Sequence, residues 1–583
     1  GRGGSRYEEN KRAVEDKNMG PLVKTIMTRC IQCTRCVRFG TEVAGIRELG
    51  LTGRGENTEV GTYVAKLVGS EVSGNVIDLC PVGALNAKPS AKQGRAWHLA
   101  QHAGLAMHDC LAAPVYWHTD KDDYGHAHIV QTVPRASESG EHCWIADRDR
   151  FSYLGLGHED RLTSPMIKKK GVWCDVSWQE ALTQVAAVIE RTIADDNGGD
   201  SLAALASPSE SMESLYMLQK LWRSLGSSHI DHRYRRSDFS DQASDSLLPG
   251  LGFAAESLVS KQAIWLVDCD LPRECPVLGL HARQASLQGC NVMSTATSSY
   301  AYPMEMTIQS TCAKHALLEG LAKVLLACYE TRSQTPEKDA AALLKDIQTD
   351  ADSRQIAKQL CDNEAAVIIV GLKPQSDGHY AQVNALLQHI AELSGAHLGC
   401  LTHGSNAAGA ASVGFLPHRG VGGHAIEHPG QNAKSMWATE KKVVCLFNVA
   451  PESDSLYGQD ILTALQSAHC VIACTSYANE TMQAVADILL PVASVGESSG
   501  SCINAEGQEK VFASAADLPG YARPAWKVFR ALGSTMQLSG FDHMTLDDVR
   551  DAMANDMKKA SPVTPADAPL PASLPTAHKN LHT

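Results

Sequence analysis

The sequence predicts an α/β chain in which a small, ligand-held module precedes a larger body of parallel sheets. Three observations predict it. Four cysteines cluster near the start, at Cys30, Cys33, Cys36 and Cys80. Short apolar runs then alternate with helical patterns from about residue 155 to 540, the order that parallel sheets covered by helices require. At 583 residues the chain is also too long for one core, so two to four domains are expected.

Taken in order, residues 1–90 carry the clustered cysteines among many glycines and charges and read as a cluster-binding module. Residues 91–150 are short, His-rich and partly alternating ("HAHIVQTVPR"), which predicts a small β-rich subdomain. Residues 151–559 form the α/β body. Its strand candidates are "SLAALAS", "AIWLVDCD", "AAVIIVGL", "KVVCLFNVA", "HCVIACTSY" and "ADILLPVAS". A helix is expected over Ser177 to Ala194, where apolar residues recur every three or four positions behind Ser177, with Glu180 completing a capping-box pattern. Residues 560–583 are rich in Pro, Ala and Ser and cannot bury enough to fold alone, so this tail is expected to wrap over a neighbour or stay mobile.

Composition excludes several classes. Hydrophobic residues at 44% and charged residues at 20% describe a globular protein, and a net charge of −13 argues against nucleic-acid binding. No apolar run reaches the roughly 18 residues a membrane helix needs; "LLEGLAKVLLACY" is too short. Of the 18 cysteines, fourteen stand apart without recurring spacing, as small core residues do in a reducing compartment. The chain begins at Gly1, so an upstream piece is expected to have been removed or to be encoded elsewhere.

The motif at Cys30 is C-x2-C-x2-C, and 43 residues intervene before Cys80, which Pro81 follows directly. One loop with two-residue gaps can wrap three thiolates round one face of a [4Fe-4S] cube, leaving the fourth to come from elsewhere. Zinc is the competing reading, but structural zinc sites pair two C-x2-C knuckles rather than placing three thiols on one loop. Four unligated core thiols would require this spacing by chance. A thiolate-held cube is anionic, and Lys24, Arg29, Arg35 and Arg38 are candidates to offset its charge.

Together, "KRAVEDKNMGPLVKTIMTRCIQCTRCVRFGTEVAG", "TGRG", "VGTYV" and "SEVSGNVIDLCPVGAL" closely resemble the family of large iron-sulfur subunits of respiratory complex I, the NADH:ubiquinone oxidoreductase. The likeness is close over residues 11–89. It continues more loosely through "WIADRDRFSYLGL", "IDHRYRRSDFSDQ", "LPRECPVLGLHAR" and "ADILLPVASVGESSGSCINAEGQ". The resemblance implies one [4Fe-4S] cluster on Cys30, Cys33, Cys36 and Cys80, followed by a molybdopterin-oxidoreductase-like multi-subdomain α/β domain without its cofactor. The resemblance also implies a binuclear cluster and a His/Cys3-ligated cubane upstream; no cysteine precedes Cys30, so the gap is expected to be filled by a separate chain, by a portion missing from this one, or not at all.

A molybdenum enzyme, such as a formate dehydrogenase, is the alternative. Only Ser237 and Ser240 of "HRYRRSDFSDQ" stand near where the metal ligand would fall, and the family comparison points to neither. No phosphate-cradling G-x-x-x-x-G-K-[ST] occurs, no G-x-G-x-x-G lies between a strand and a helix, and "GVGGH" at Gly420 is a turn-like glycine cluster. Molybdenum, pterin, flavin and NAD are therefore not expected on this chain. His98, His102, His108, His126, His128, His142 and Cys143 crowd one region, but their spacing follows no standard metal scheme. The sequon at Asn479 reads as chance. The expected role is electron transfer from NADH and flavin towards ubiquinone. Expected partners are peripheral-arm subunits that bear flavin and iron-sulfur clusters, on the matrix side of the mitochondrial inner membrane or the bacterial cytoplasmic face. A zinc-filled or empty structural paralogue is the remaining alternative.

Overall fold

The computed structural model describes residues 8, 13–62, 69–91, 93–95, 97–136, 143–196, 198–565 and 569–571. Its body is two parallel sheets, one threaded inside the other. The larger has seven strands, in the order Ile230–Asp231, Leu202–Ala206, Val443–Phe447, Cys470–Thr475, Ile488–Pro491, Met166–Lys169 and Val172–Asp175. The first five run parallel and the last two close the edge antiparallel. After Asp231 the chain leaves to build an all-parallel sheet of Ile308–Thr311, Asn291–Ala296, Ala263–Val267, Ala366–Val370 and His397–Cys400. It then returns at Val443.

The apolar runs become strands because both faces of each sheet are covered. In Leu202–Ala206 the side chains of Leu202, Ala204 and Ala206 join one core with Val185, Trp222 and Phe529, while Leu205 joins another with Ile461 and Met482. The smaller sheet alternates likewise. Trp265 faces Leu321, Leu325 and Ile390, and Leu266 faces Leu278 and Ala282. All six strand candidates lie on strands of these two sheets. The expected helix runs Trp178–Asp196. Ser177 Oγ accepts the Glu180 N–H at 3.2 Å, but the Glu180 carboxylate is engaged by Lys169 Nζ at 2.7 Å.

Ahead of this body, Ala100–Ala106, Ala113–Lys121 and Ala127–Pro134 form a three-stranded antiparallel sheet. Earlier still, the strands Val23–Thr25 and Leu85–Ala87 pair antiparallel, as do Leu49–Thr52 and Glu59–Thr62. Two short helices accompany them, α1 (Arg35–Arg38) and α2 (Asn75–Leu79), and a third, α3 (Asp147–Phe151), precedes the body. Leu280 of the body packs into the core of this N-terminal module, and Arg283 Nη2 donates to Thr41 O at 3.0 Å. The described part of the tail lies on the chain's own body: the Val563 N–H donates to Gly423 O at 3.0 Å and Leu570 packs beside the helices of the smaller sheet. Among the described residues, no helix is long and apolar enough to cross a membrane.

Candidate metal centre

Cys30, Cys33, Cys36 and Cys80 line one small hollow, with Met27, Ile31, Val60, Val82, Ala84 and Leu85 as its apolar wall. The short ribbon brings the distant ligand back. Pairing of Val23 with Ala87 and Thr25 with Leu85, continued by the Ile26 N–H on Ala84 O at 2.8 Å, sets the Cys80 turn beside the Cys30 loop.

The loop is bent by two non-glycine residues in the left-handed region, Gln32 at φ 54° and Thr34 at φ 62°, one on either side of Cys33. Each costs about 1–2 kcal/mol. The bend aims backbone donors inward: the Gln32 N–H donates to Cys30 Sγ at 3.4 Å, and the Ala84 N–H donates to Cys80 Sγ at 3.2 Å. Gln32 Nε2 anchors the loop on Thr58 O at 2.9 Å. Cys36 then opens into α1, and α2 ends at Cys80, whose extended backbone (φ −78°, ψ 105°) leads into Pro81.

Cys30, Cys36 and Cys80 are half-buried and Cys33 is exposed. The Cys36 thiol is pushed up to about 11, first by burial and further by Cys30 and Cys33, against a hydrogen bond from the Val37 N–H. Four thiolates in this cradle therefore repel unless a cationic core joins them, and loading must release protons. No group of three or more His, Cys, Asp or Glu among the described residues is arranged to hold a single metal ion. The donor set, four thiols around an apolar hollow, fits an iron-sulfur cluster in its chemistry.

The four candidate cations differ in what they do. Lys24 is half-buried on the ribbon. Arg29 is exposed and reaches towards the Gly83 turn, its Nη1 3.7 Å from where a Cβ on Gly83 would lie. Arg35 is exposed at the first position of α1. Arg38 makes a two-pronged pair with Glu42, both contacts at 3.0 Å, so its charge is already answered. A cation the sequence reasoning missed is Arg150, which is 2% exposed and points its guanidinium at Asp78, two residues before Cys80. The only hint was the charge density of "DRDR" before Phe151.

Of the crowded histidines, His98, His126 and His128 are exposed, as are His108 and Cys143, and His102 Nε2 lies 3.1 Å from Thr119 Oγ1. His142 lies outside the described residues. Cys110, Cys269, Cys275, Cys328, Cys361, Cys445, Cys470, Cys474 and Cys502 are buried core residues.

In the body, a crevice of about 530 Å³ opens at the carboxyl ends of the larger sheet's strands, between Ser209, Asn448, Thr475 and Ser494. Such crevices hold nucleotides in doubly wound folds. This one presents Glu210, Asp160 and Asp454, and the nearby Arg161 is paired with Glu497. Burial pushes the Glu210 carboxyl up to about 7, opposed by the Asn448 amide that donates to it. Ser240 bonds Asp238, and the Ser237 hydroxyl is buried without a partner. Arg233 and Arg236 are saturated by Asp231, Asp241 and Asp245. This crevice thus presents carboxylates rather than the donors that a diphosphate needs.

The family model for molybdopterin oxidoreductase matches residues 161–535, and that for the ferredoxin-like domain of NADH-quinone oxidoreductase subunit 3 matches residues 20–86. The G-type subunit of NADH-quinone oxidoreductase from Rickettsia felis is 28% identical over 575 residues, covering 96% of this chain and 74% of the relative. The NADH-ubiquinone oxidoreductase 75 kDa subunit of Reclinomonas americana is 29% identical over 552 residues, covering 91% and 71%. The G-type counterpart from Rickettsia conorii is 42% identical over 229 residues, 39% of this chain and 32% of the relative. Among solved structures, acetylene hydratase from Pelobacter acetylenicus superposes with a TM-score of 0.58 at 14% identity, covering 76% of this chain and 70% of that one, which establishes the shared fold.

Proposed function

Because the chain belongs to the molybdopterin oxidoreductase family, and within it to the large iron-sulfur subunits of NADH:quinone oxidoreductase, we propose that it carries electrons through one [4Fe-4S] cluster on Cys30, Cys33, Cys36 and Cys80. One observation carries the reading. Three thiols from one strained loop and a fourth from a distant turn surround a single apolar hollow.

Such a cluster, when bound, takes up and releases one electron at a time. The chain's own residues do the rest. The thiolates bind; the Gln32 and Ala84 amides donate to ligand sulfurs and stabilise added negative charge; Val60, Val82 and Leu85 line the hollow and exclude water. Ile31, 60% exposed beside the exposed Cys33, leaves one edge of the hollow near the surface, where a partner's redox centre can approach. No step in this role needs an acid or a base from the chain.

In this reading the large domain is a scaffold without molybdenum, pterin, flavin or NAD. The chain sits in the peripheral arm of complex I beside flavin-bearing and iron-sulfur subunits, on the matrix side of the mitochondrial inner membrane or the bacterial cytoplasmic face. Metal analysis of the purified complex tests it. About four iron atoms and no molybdenum assigned to this chain, with a reduced-cubane signal in electron paramagnetic resonance, are expected; stoichiometric molybdenum or zinc on the chain overturns it.

A further inference from the structure

Resting on Cys80 as a cluster ligand, we propose that Asp147 and Arg150 of α3 are positioning residues that clamp α2 and thereby aim the Cys80 thiolate at the cluster. They lie well beyond the ferredoxin-like segment, residues 20–86, that contains all four ligands.

Helix α2 has five residues, whereas isolated helices shorter than about 12 to 15 residues are marginal in water. Its placement must be imposed from outside. The helix has no side-chain cap of its own at Gly74. Asp147 supplies one from 73 positions away: the Gly74 N–H donates to Oδ1 at 2.6 Å and the Ser73 hydroxyl to Oδ2 at 2.5 Å. Asn75 locks the next position by trading two bonds with the Ile145 backbone, donating to its carbonyl at 2.9 Å and accepting its N–H at 3.2 Å. Arg150 grips the far end. Both of its terminal nitrogens reach the Asp78 carboxylate, one of them at 3.2 Å, and Nη2 also lies 3.4 Å from Asn75 Oδ1.

The same segment touches the other ligand-bearing element, since the Trp144 ring packs on Phe39, directly after α1, at 4.9 Å between centroids. The grip is close. A Cβ on Gly74 would stand 2.7 Å from Arg150 Cδ and 2.8 Å from Asp147 Oδ1. Stability alone does not account for a guanidinium that is 2% exposed with its Nε unpartnered among the described residues, because its desolvation is repaid chiefly by Asp78, whose side chain is 31% exposed and screened by solvent. What the pair provides is a fixed separation between α3 and the turn that presents Cys80, and ligand atoms need placement to about 0.5 Å.

The test uses the full chain with its cluster and three variants, Arg150→Met, Arg150→Lys and Gly74→Ala, with Cys80→Ser as a control. Removing partners that orient a ligand typically costs 10- to 100-fold in metal affinity. Arg150→Met is therefore expected to release iron to a chelator about tenfold faster, and to shift the cluster's midpoint potential and resonance line shape in the fraction that keeps four iron. Arg150→Lys restores the potential partly. Gly74→Ala pushes the clamp apart without changing any charge and is expected to move iron release and line shape in the same direction, so it decides the matter should Arg150→Met fail to fold. Wild-type release rate, potential and line shape in Arg150→Met and Gly74→Ala, with iron lost in Cys80→Ser, overturn the clamp and leave the ligand reading standing. Full iron in Cys80→Ser overturns the ligand reading itself.

Discussion

Replacing Cys80 by serine separates the metal's contribution from the protein's. The ribbon that places the Cys80 turn keeps its bonds in the variant, since Val23 still pairs with Ala87 and the Ile26 N–H still reaches Ala84 O. The turn therefore survives. The Cys30 loop does not share that support: its residues Gln32 and Thr34 sit at φ 54° and 62°, costing together about 2–4 kcal/mol. The side-chain bond from Gln32 Nε2 to Thr58 O returns only about 0.5–1.5 kcal/mol. Without four-point ligation the strained loop should relax, and the remaining ~0.5–3.5 kcal/mol corresponds to an acceleration of amide exchange of roughly 2- to 400-fold. Hydrogen exchange read by mass spectrometry on peptides covering Met27–Phe39, alongside iron analysis, measures it. Peptides from Val443–Phe447 in the body should be unchanged. If the variant loses iron yet the Cys30 loop exchanges as slowly as before, the loop is preformed without metal and the strain argument is wrong.

Other expectations follow from the same geometry. Arg38→Ala should leave the cluster potential where it is, because Glu42 already answers that exposed charge; a clear shift in redox titration would restore Arg38 to the set of tuning cations. Burial alone would raise the Asp231 carboxyl, but Arg233, helped by the Ala433 N–H, outweighs it and holds the group at about 2. A depressed carboxylate stabilises the fold above its unfolded value and loses that contribution as pH falls, so about 2 kcal/mol should disappear between pH 4 and pH 2; Asp231→Asn should abolish this part of the pH dependence in denaturant titrations. Trp265→Ala removes a fully buried ring whose Nε1 donates to Thr295 Oγ1 at 3.1 Å, and should cost about 3–5 kcal/mol in chemical denaturation of the smaller sheet. A loss below about 1 kcal/mol would mean the core refills the cavity.

The sequence by itself determined what depends on neighbours along the chain. The C-x2-C-x2-C spacing is local, so the three-thiol loop was legible, and Pro81 marked the remote ligand. Runs such as "AIWLVDCD" and "KVVCLFNVA" were legible as buried strands because a strand covered on both faces carries apolar residues without interruption. The helix at Trp178–Asp196 was legible from its period.

Tertiary structure alone decided everything set by partners far apart in sequence. No local pattern says that the smaller sheet is inserted between Asp231 and Val443, because strand order is a property of lateral pairing. Strands such as Asn291–Ala296 and His397–Cys400 escaped notice since polar or small residues interrupt them; lateral pairing, on both sides of the first and on one side of the second, supplies the ordering that their composition lacks. Among the cations, proximity to Cys36 in sequence suggested Arg38, whose charge Glu42 takes up one turn later. Arg150, more than a hundred residues on, reaches the Cys80 helix instead. Electrostatic and hydrogen-bonding reach is measured through space, and only the folded chain makes residues 78 and 150 neighbours.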